Sequence, residues 1–176
     1  YAYKAEIELN FCRVVGNVGG TGFSLSSGGG IYAERSTLTL RGTTVAMNDV
    51  SDSGGGICAK GDSSVYVSKS IISGNNAGNR GGGLFIERGI TVVVEESHVR
   101  FNTVTYASAV TNDSADTYYY YLYDETDDSS FSEFNGGGGI YITVTSSVTF
   151  TGCYVRSNTC TGNGVGGGFF VATSTI

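Results

Sequence analysis

Carboxylates, one histidine and four cysteines are the side chains in this 176-residue sequence that could do acid–base, metal or redox chemistry. General acid–base catalysis needs titratable groups that converge on one reacting bond. Outside one acidic segment, the carboxylates are instead scattered along the chain, and they include Glu34, Asp49, Asp52, Asp62, Glu87, Glu95 and Glu96. His98, the only histidine, has no nucleophile beside it in the neighbouring repeats. The sequence therefore predicts a protein that is not an enzyme and has no catalytic residue.

The cysteines lack the paired short spacings of a zinc site. The acidic run from Asp124 to Asp128 fits no calcium-binding loop, so we expect neither a metal nor another cofactor. Cys153 and Cys160 are seven residues apart in one repeat and are the first candidates for a disulfide. Cys12 and Cys58 could be free thiols, a strained pair, or partners of another chain.

A repeated block must position these side chains. The block opens with a glycine triplet and closes with an asparagine. Successive triplets begin 26 to 29 residues apart, except for one interval of 56, which is about two periods. The triplets begin at Gly28, Gly54, Gly81, Gly137 and Gly166, and the asparagines are Asn17, Asn48, Asn75, Asn102 and Asn158. A fixed period in this range is typical of stacked-repeat proteins.

Within each block, inward residues recur two positions apart, as Leu38 and Leu40 do, which is the period of a strand and not of a helix. The step from Leu40 to Thr43 is three residues, so the chain must turn a corner there. With Ile31 and Ala33, these pairs predict three short strands per coil. We therefore predict an all-β fold, a single-stranded parallel β-helix of about five coils. Hairpins would not repeat one residue class per period, and a propeller blade needs roughly 40 residues or more.

The glycine triplet followed by isoleucine, with an apolar residue, two spacers and asparagine later in the block, resembles the repeats of chlamydial-type polymorphic outer membrane proteins. That family has Gly-Gly-Ala-Ile and Phe-x-x-Asn, whereas this chain has Val or Ile in place of Phe, as in Val45 to Asn48 and Ile72 to Asn75. The resemblance covers nearly the whole chain except about thirty residues after Asn102. It implies a right-handed parallel β-helix at a cell surface and no particular activity.

The composition agrees with this fold. Proline is absent, so no ladder hydrogen bond is lost within a strand. The repeated asparagines are predicted to be structural, because stacked Asn side chains can hydrogen-bond to one another along a β-axis. No stretch approaches the roughly 18 apolar residues of a membrane span, and a net charge of −6 disfavours nucleic acid as a partner. We expect an extracellular or cell-surface protein without membrane insertion.

Residues 103–135 interrupt the repeat. They include seven acidic residues, no Lys or Arg, and the tyrosines Tyr118, Tyr119, Tyr120, Tyr121 and Tyr123. We expect an inserted loop that projects from a single β-helix domain spanning residues 1–176. The loop could be a solvated, mobile excursion. It could instead be a contact element, since tyrosine offers much amphipathic area at little entropic cost.

Two columns of side chains are predicted to point outward. One contains Tyr32, Cys58, Phe85, Tyr141 and Phe170, an apolar stripe that a soluble rod should not leave bare. The loop, a neighbouring chain or sugar rings could cover the stripe, or the ladder could simply support itself. The other column contains Thr37, Ser64, Thr91, Ser147 and Thr175, whose hydroxyls could carry O-linked sugars. Asn112 lies in the one standard N-glycosylation sequon, within the inserted loop.

Both termini fall partway through a coil, Tyr1 at one end and Ile176 at the other. Open coil ends predict either head-to-tail stacking of identical chains or an excerpt of a longer solenoid. The functional prediction is a structural extracellular protein, a subunit or segment of a β-helical filament, with itself as partner and with covalently attached glycans. The alternatives are an excerpt of a surface adhesin that resembles an autotransporter passenger, and a β-helix that binds or cleaves polysaccharides.

Overall fold

The computed structural model describes residues 1–20, 26–88, 91–105, 136–143, 147–161 and 166–172. Across these ranges the chain forms short strands in four parallel sheets, and each sheet takes one strand from successive coils. This arrangement confirms the predicted all-β parallel β-helix. None of the described segments is a helix that is long and apolar enough to cross a membrane.

The four sheets follow one another around each coil. The first contains β1 (Ala2–Tyr3), β5 (Ile31–Glu34), β9 (Ile57–Lys60), β13 (Leu84–Glu87), β17 (Ile140–Thr143) and β21 (Phe169–Ala172). The second contains β2 (Glu6–Asn10), β6 (Thr37–Arg41), β10 (Ser64–Ser68), β14 (Thr91–Glu95) and β18 (Ser147–Thr151). The third contains β3 (Arg13–Val15), β7 (Thr44–Ala46), β11 (Ile71–Ser73), β15 (His98–Arg100) and β19 (Tyr154–Arg156). The fourth contains β4 (Val18–Gly19), β8 (Asp49–Val50), β12 (Asn76–Ala77), β16 (Thr103–Val104) and β20 (Thr159–Cys160).

Each coil thus has four strands where the sequence predicted three. The additional strand is the two-residue strand of the fourth sheet. It buries only one small side chain per coil, such as Val50 or Ala77, so no two-residue alternation revealed it. The insertion was predicted to begin at residue 103, but residues 103 and 104 form strand β16, which pairs with β12 and belongs to the coil. The rest of that insertion, from 106 to 135, lies outside the described residues.

The core runs along the axis of the solenoid. Strands pair in a constant register, so that Leu38 lies beside Val65 and Val65 beside Val92. All three side chains are fully buried, and they belong to one cluster that the first three sheets build together. Because successive side chains of a strand point to opposite faces, the two-residue alternation fills this core with β-branched and leucine side chains.

The repeated asparagines form the ladder that the sequence predicted, from Asn17 through to Asn158. Asn48 donates from its backbone nitrogen and from Nδ2 to Asn75 Oδ1, at 3.1 and 2.9 Å. Asn75 donates in the same way to Asn102 Oδ1, at 3.0 and 2.9 Å. Each Nδ2 from Asn48 onward also donates to a carbonyl oxygen of the preceding coil. The ladder continues from Asn102 to Asn158 at 3.0 Å, so the 56-residue interval leaves the register intact.

A second ladder occupies the corner between the second and third sheets. Its members are Cys12, Thr43, Ser70, Ser97 and Cys153. Thr43 Oγ1 accepts from the backbone nitrogen of Cys12 at 3.2 Å, and Ser70 Oγ accepts from that of Thr43 at 3.0 Å. Ser70 Oγ then donates to the carbonyl oxygen two residues earlier, at 2.7 Å. The thiols of Cys12 and Cys153 make the same backward contact, at 3.3 and 3.4 Å.

Candidate functional surfaces

The column predicted to form a bare apolar stripe is in fact largely buried. Its members lie in register along the first sheet, and the rings of Tyr141 and Phe170 stack with centroids 4.5 Å apart. Cys58, Phe85 and Tyr141 are at most 1% exposed and form a cluster separate from the main core. Phe85 and Tyr141 are therefore wrong as interface residues. Only Tyr32 and Phe170 are partly exposed.

The glycine triplets explain this burial, because they bring backbone against the column. A Cβ on Gly81 would lie 2.8 Å from Phe85 Cβ, and a Cβ on Gly137 would lie 2.8 Å from Tyr141 Cβ. Basic side chains complete the cover, since Lys60 Nζ lies 5.3 Å from the centre of the Phe85 ring, a favourable cation–π contact. The sequence pattern showed which side of the strand the column occupies but not that the chain folds back over it.

Burial changes the acid–base behaviour of this cluster. It raises the pKa of the Cys58 thiol to about 12, and the nearby Lys60 ammonium opposes that rise. Burial likewise raises the pKa of Tyr32 to about 12. Because the thiolate is the reactive form of cysteine, Cys58 is a packing residue rather than a nucleophile.

All four cysteines are free thiols in the structure, so the predicted Cys153–Cys160 disulfide is not formed. Cys153 packs against the main core, with Sγ 3.1 Å from Val94 O. Cys160 packs instead against the small cluster of the fourth sheet. The seven-residue spacing suggested proximity, but the corner at Asn158 sends the two side chains to separate clusters. Cys12 and Cys58 are not paired with each other either.

The predicted glycosylation column is in register on the second sheet, as Thr37, Ser64, Thr91 and Ser147. The first three are half-buried and Ser147 is exposed. Sugar attachment at these hydroxyls stays a prediction. Tyr1 is 87% exposed and stacks on Tyr32 at 5.2 Å. Other predicted site residues lie outside the described ranges, namely Asn112, Tyr118, Tyr119, Tyr120, Tyr121, Tyr123, Thr175 and Ile176.

Several carboxylates of the described coils make local contacts. Lys60 Nζ lies 3.7 Å from a Glu87 carboxylate oxygen, and Lys69 Nζ lies 3.9 Å from one of Glu96. Asp52 accepts from side chains of the flanking coils, at 3.0 and 2.8 Å. Among the described residues, no group of three or more His, Cys, Asp or Glu side chains is placed to hold a metal ion. The absence of catalysis stays a prediction.

A groove of about 240 Å³ lies along the fourth sheet, and the sequence did not reveal it. Its polar wall is a short relay in which Thr105 Oγ1 donates to Asn76 Oδ1 at 2.8 Å. Asn76 Nδ2 in turn donates to Asp49 Oδ1 at 2.9 Å. These side chains satisfy one another, so the relay reinforces coil stacking.

A second unpredicted surface lies on the outer side of the third sheet, and we call it the arginine–aromatic patch. It consists of His98, Arg100, Phe101, Tyr154 and Arg156. Pairing of β15 with β19 sets His98 beside Tyr154 and Arg100 beside Arg156. The His98 and Tyr154 rings stack 5.1 Å apart, and the Arg100 guanidinium lies 5.7 Å from the Phe101 ring centre. Its sequence signal is a Val-Arg pair at the same place in two successive coils.

Parallel coils stacked in register, with buried ladders at their corners, define a single-stranded parallel β-helix protein. A comparison with protein families matches residues 1–176 to the family described as the right handed beta helix region. The chain belongs to this family. Comparisons with curated proteins and with solved structures found no match.

Proposed function

We propose that this chain is a structural, non-enzymatic rod segment of an extracellular surface protein. The observation that carries the proposal is the asparagine ladder, which runs unbroken from Asn17 to Asn158. A buried polar ladder in every coil fixes the register of the stack, because each unpaired member would leave buried groups without partners. A long insertion that leaves this register intact is compatible with a scaffold that displays loops.

Within this proposal, we assign the coils more finely to repeats of the polymorphic outer membrane protein type. The glycine triplet with isoleucine and the spacing from Val45 to Asn48 support it. The structural importance of those positions also supports it, since Gly55 and Gly56 pack against backbone of the next coil. Antibodies against the purified chain should label intact, unpermeabilised source cells. Labelling only after permeabilisation would contradict the surface assignment.

Head-to-tail assembly into a filament is the proposed mode of self-association. We expect concentrated chain to form unbranched filaments one solenoid wide in negative-stain images. Sedimentation should show a concentration-dependent increase in mass. A monodisperse monomer at all concentrations would contradict the filament but not the rod-segment proposal. Small-angle scattering tests the rod segment separately, because it measures how elongated the particle is.

Covalent glycans are part of the proposal, on the hydroxyls of Thr37, Ser64, Thr91 and Ser147 and on Asn112. The intact mass of chain purified from its source should exceed the sequence mass by whole hexose or N-acetylhexosamine units. Chain made in a host without glycosylation serves as the control. Equal masses would contradict the modification.

The non-enzymatic part of the proposal has its own test. Incubation with polygalacturonate should release neither new reducing ends nor unsaturated products. Release that Asp49→Asn or Asp52→Asn abolishes would overturn it.

A further inference from the structure

We propose that the arginine–aromatic patch is a binding site for an acidic polysaccharide. In this proposal, Arg100 and Arg156 pair with carboxylate or sulfate groups of the polymer, and its sugar rings lie on Tyr154 and Phe101. The site goes beyond the structural role proposed above and does not depend on it.

The first argument is the charge of the face. The first, second and fourth sheets each contain at least one strand with Asp or Glu, whereas no strand of the third sheet contains either. This acid-free sheet holds three arginines in a chain of net charge −6. It is therefore the one described face on which an anionic polymer meets no carboxylate of the strands beneath it.

The second argument is the pairing of Arg100 with Arg156. The two lie in register on adjacent strands, and like charges directly opposite each other across strands are unfavourable. Within the described ranges, neither has a carboxylate within 4.0 Å, and the nearby Glu96 is paired with Lys69. An anion bound between the two guanidinium groups would remove this repulsion, and guanidinium binds carboxylate and sulfate through paired donors.

The third argument is the hydrogen bonds that the patch leaves unmade. Arg100 Nε and His98 Nδ1 are buried atoms without a hydrogen-bond partner in the described part of the chain. Most buried polar atoms in proteins have a partner. These two atoms are out of reach of a surface ligand, and ring contacts hold both side chains. The ligand would instead meet the terminal guanidinium nitrogens of Arg100 and of the exposed Arg156.

The shape and apolar surface favour a polysaccharide over other anions. Tyr154 is 63% exposed and Phe101 is 55% exposed, and exposed rings offer flat apolar faces to the C–H groups of sugars. Sites for small molecules are concave, whereas this one is the open face of a sheet and suits an extended polymer. The net charge of −6 opposes every polyanion at long range, so the exposed rings and the open face, and not the charge of the chain, favour a polysaccharide.

Binding of three polymers tests the proposal: polygalacturonate for carboxylate, dextran sulfate for sulfate, and neutral dextran. Affinity electrophoresis or biolayer interferometry at 50 mM and 300 mM NaCl would measure it. We expect at least one charged polymer to bind, neutral dextran not to bind, and Arg100→Gln/Arg156→Gln to weaken binding at least tenfold. The matched control, Arg35→Gln/Arg41→Gln, removes the same charge from exposed positions elsewhere and should change binding less than twofold.

A second pair of substitutions tests the aromatic side chains of the site. Tyr154→Ala/Phe101→Ala should weaken binding of the same polymer threefold or more while circular dichroism shows the fold retained. The proposal is overturned if neither charged polymer binds at 50 mM NaCl, or if the control pair loses as much affinity as the patch pair. Preference for a duplex DNA over both charged polymers at equal salt would also overturn it. None of these outcomes bears on the rod or the filament.

Discussion

At the scale of single residues, the stability of the solenoid depends on buried polar side chains as much as on apolar ones. Asn75 alone supplies the acceptor for two donors of Asn48 and a donor for a carbonyl oxygen of the preceding coil. Its neighbour Asn76 faces outward and bonds to Asp49. The two adjacent asparagines have the same side chain, but we expect only Asn75 to contribute strongly to stability.

Asn75→Ala is expected to lower the free energy of unfolding by about 3–5 kcal/mol, because it removes three buried hydrogen bonds to neighbouring coils at roughly 1–2 kcal/mol each. Asn76→Ala, the matched control, should cost about 1 kcal/mol or less. Urea unfolding followed by circular dichroism measures both. Equal losses for the two variants would show that the ladder has no special role.

Because the thiol of Cys58 is buried, we expect the protein to lose stability at alkaline pH. Burial raises its pKa from 9.0 to about 12, so above pH 9 the unfolded chain releases a proton that the folded chain keeps. Stability therefore falls as pH rises from 9 towards 12, with a slope of up to about 1.4 kcal/mol per pH unit from this group.

Cys58→Ala should flatten this dependence, although the cavity lowers its stability at pH 7. Urea midpoints of both proteins at intervals from pH 7.5 to 10.5 give the comparison. The alanine variant retains Tyr32, so any slope common to both proteins belongs to other groups. Parallel curves above pH 9 would be inconsistent with a thiol held neutral by burial.

At the scale of the strand and its turns, the glycine triplet is what allows coils to stack closely. A Cβ on Gly55 would overlap the carbonyl oxygen of Asn76 and come within 2.5 Å of that of Gly82. Both obstacles are backbone and cannot rotate away. Gly19, in strand β4, has nothing closer than 3.5 Å to such a Cβ.

Gly55→Ala should therefore destabilise the protein by about 3 kcal/mol, at the upper end of what overpacking costs. Gly19→Ala should change stability by about 1 kcal/mol or less. Thermal unfolding midpoints of the two variants, compared under identical conditions, give the difference. If Gly19→Ala lost as much stability as Gly55→Ala, the close approach of adjacent coils would not be the cause of the loss.

The same scale shows what the sequence could predict. The spacing of Leu38 and Leu40 and the recurrence of glycine and asparagine fixed the coil, its register and the asparagine ladder, because those features repeat once per period. The fourth strand, the burial of Phe85 and the separation of Cys153 from Cys160 did not follow, since each depends on how a short segment folds across its neighbours. The arginine–aromatic patch was missed because Arg100 and Arg156 meet only once the register across the long insertion is known.

At the scale of the whole molecule, the insertion occupies a single residue's place in its coil. The isolated bridges pair Ser53 with Arg80 and Arg80 with Gly136, while Ala77 pairs with Val104. Gly78 and Thr105 therefore correspond, and Asn79 corresponds to the whole stretch from 106 to 135. We therefore expect the coils on either side to stack without that stretch.

Replacing residues 106–135 by one asparagine should give a folded solenoid whose stability is within about 1–2 kcal/mol of the parent, since loop length affects closure entropy only slowly. The deletion removes seven acidic residues and no basic one, which changes the net charge from −6 to +1. Circular dichroism and urea unfolding measure the outcome, with a Gly/Ser segment of thirty residues as the control. Loss of the β signal in the deletion alone would show that the insertion is part of the fold.

The backbone-to-side-chain bonds of the corner ladders share one direction. Backbone nitrogens of Asn17, Asn48 and Asn75 donate to the coil that follows, and those of Thr43 and Ser36 do the same. The side chains of these ladders also donate to the preceding coil, as Asn48 Nδ2 and Thr43 Oγ1 do, so only the backbone-to-side-chain bonds have a single direction. Joining two coils head to tail would therefore bring a backbone donor against a side-chain acceptor, whereas joining them head to head would bring like groups together.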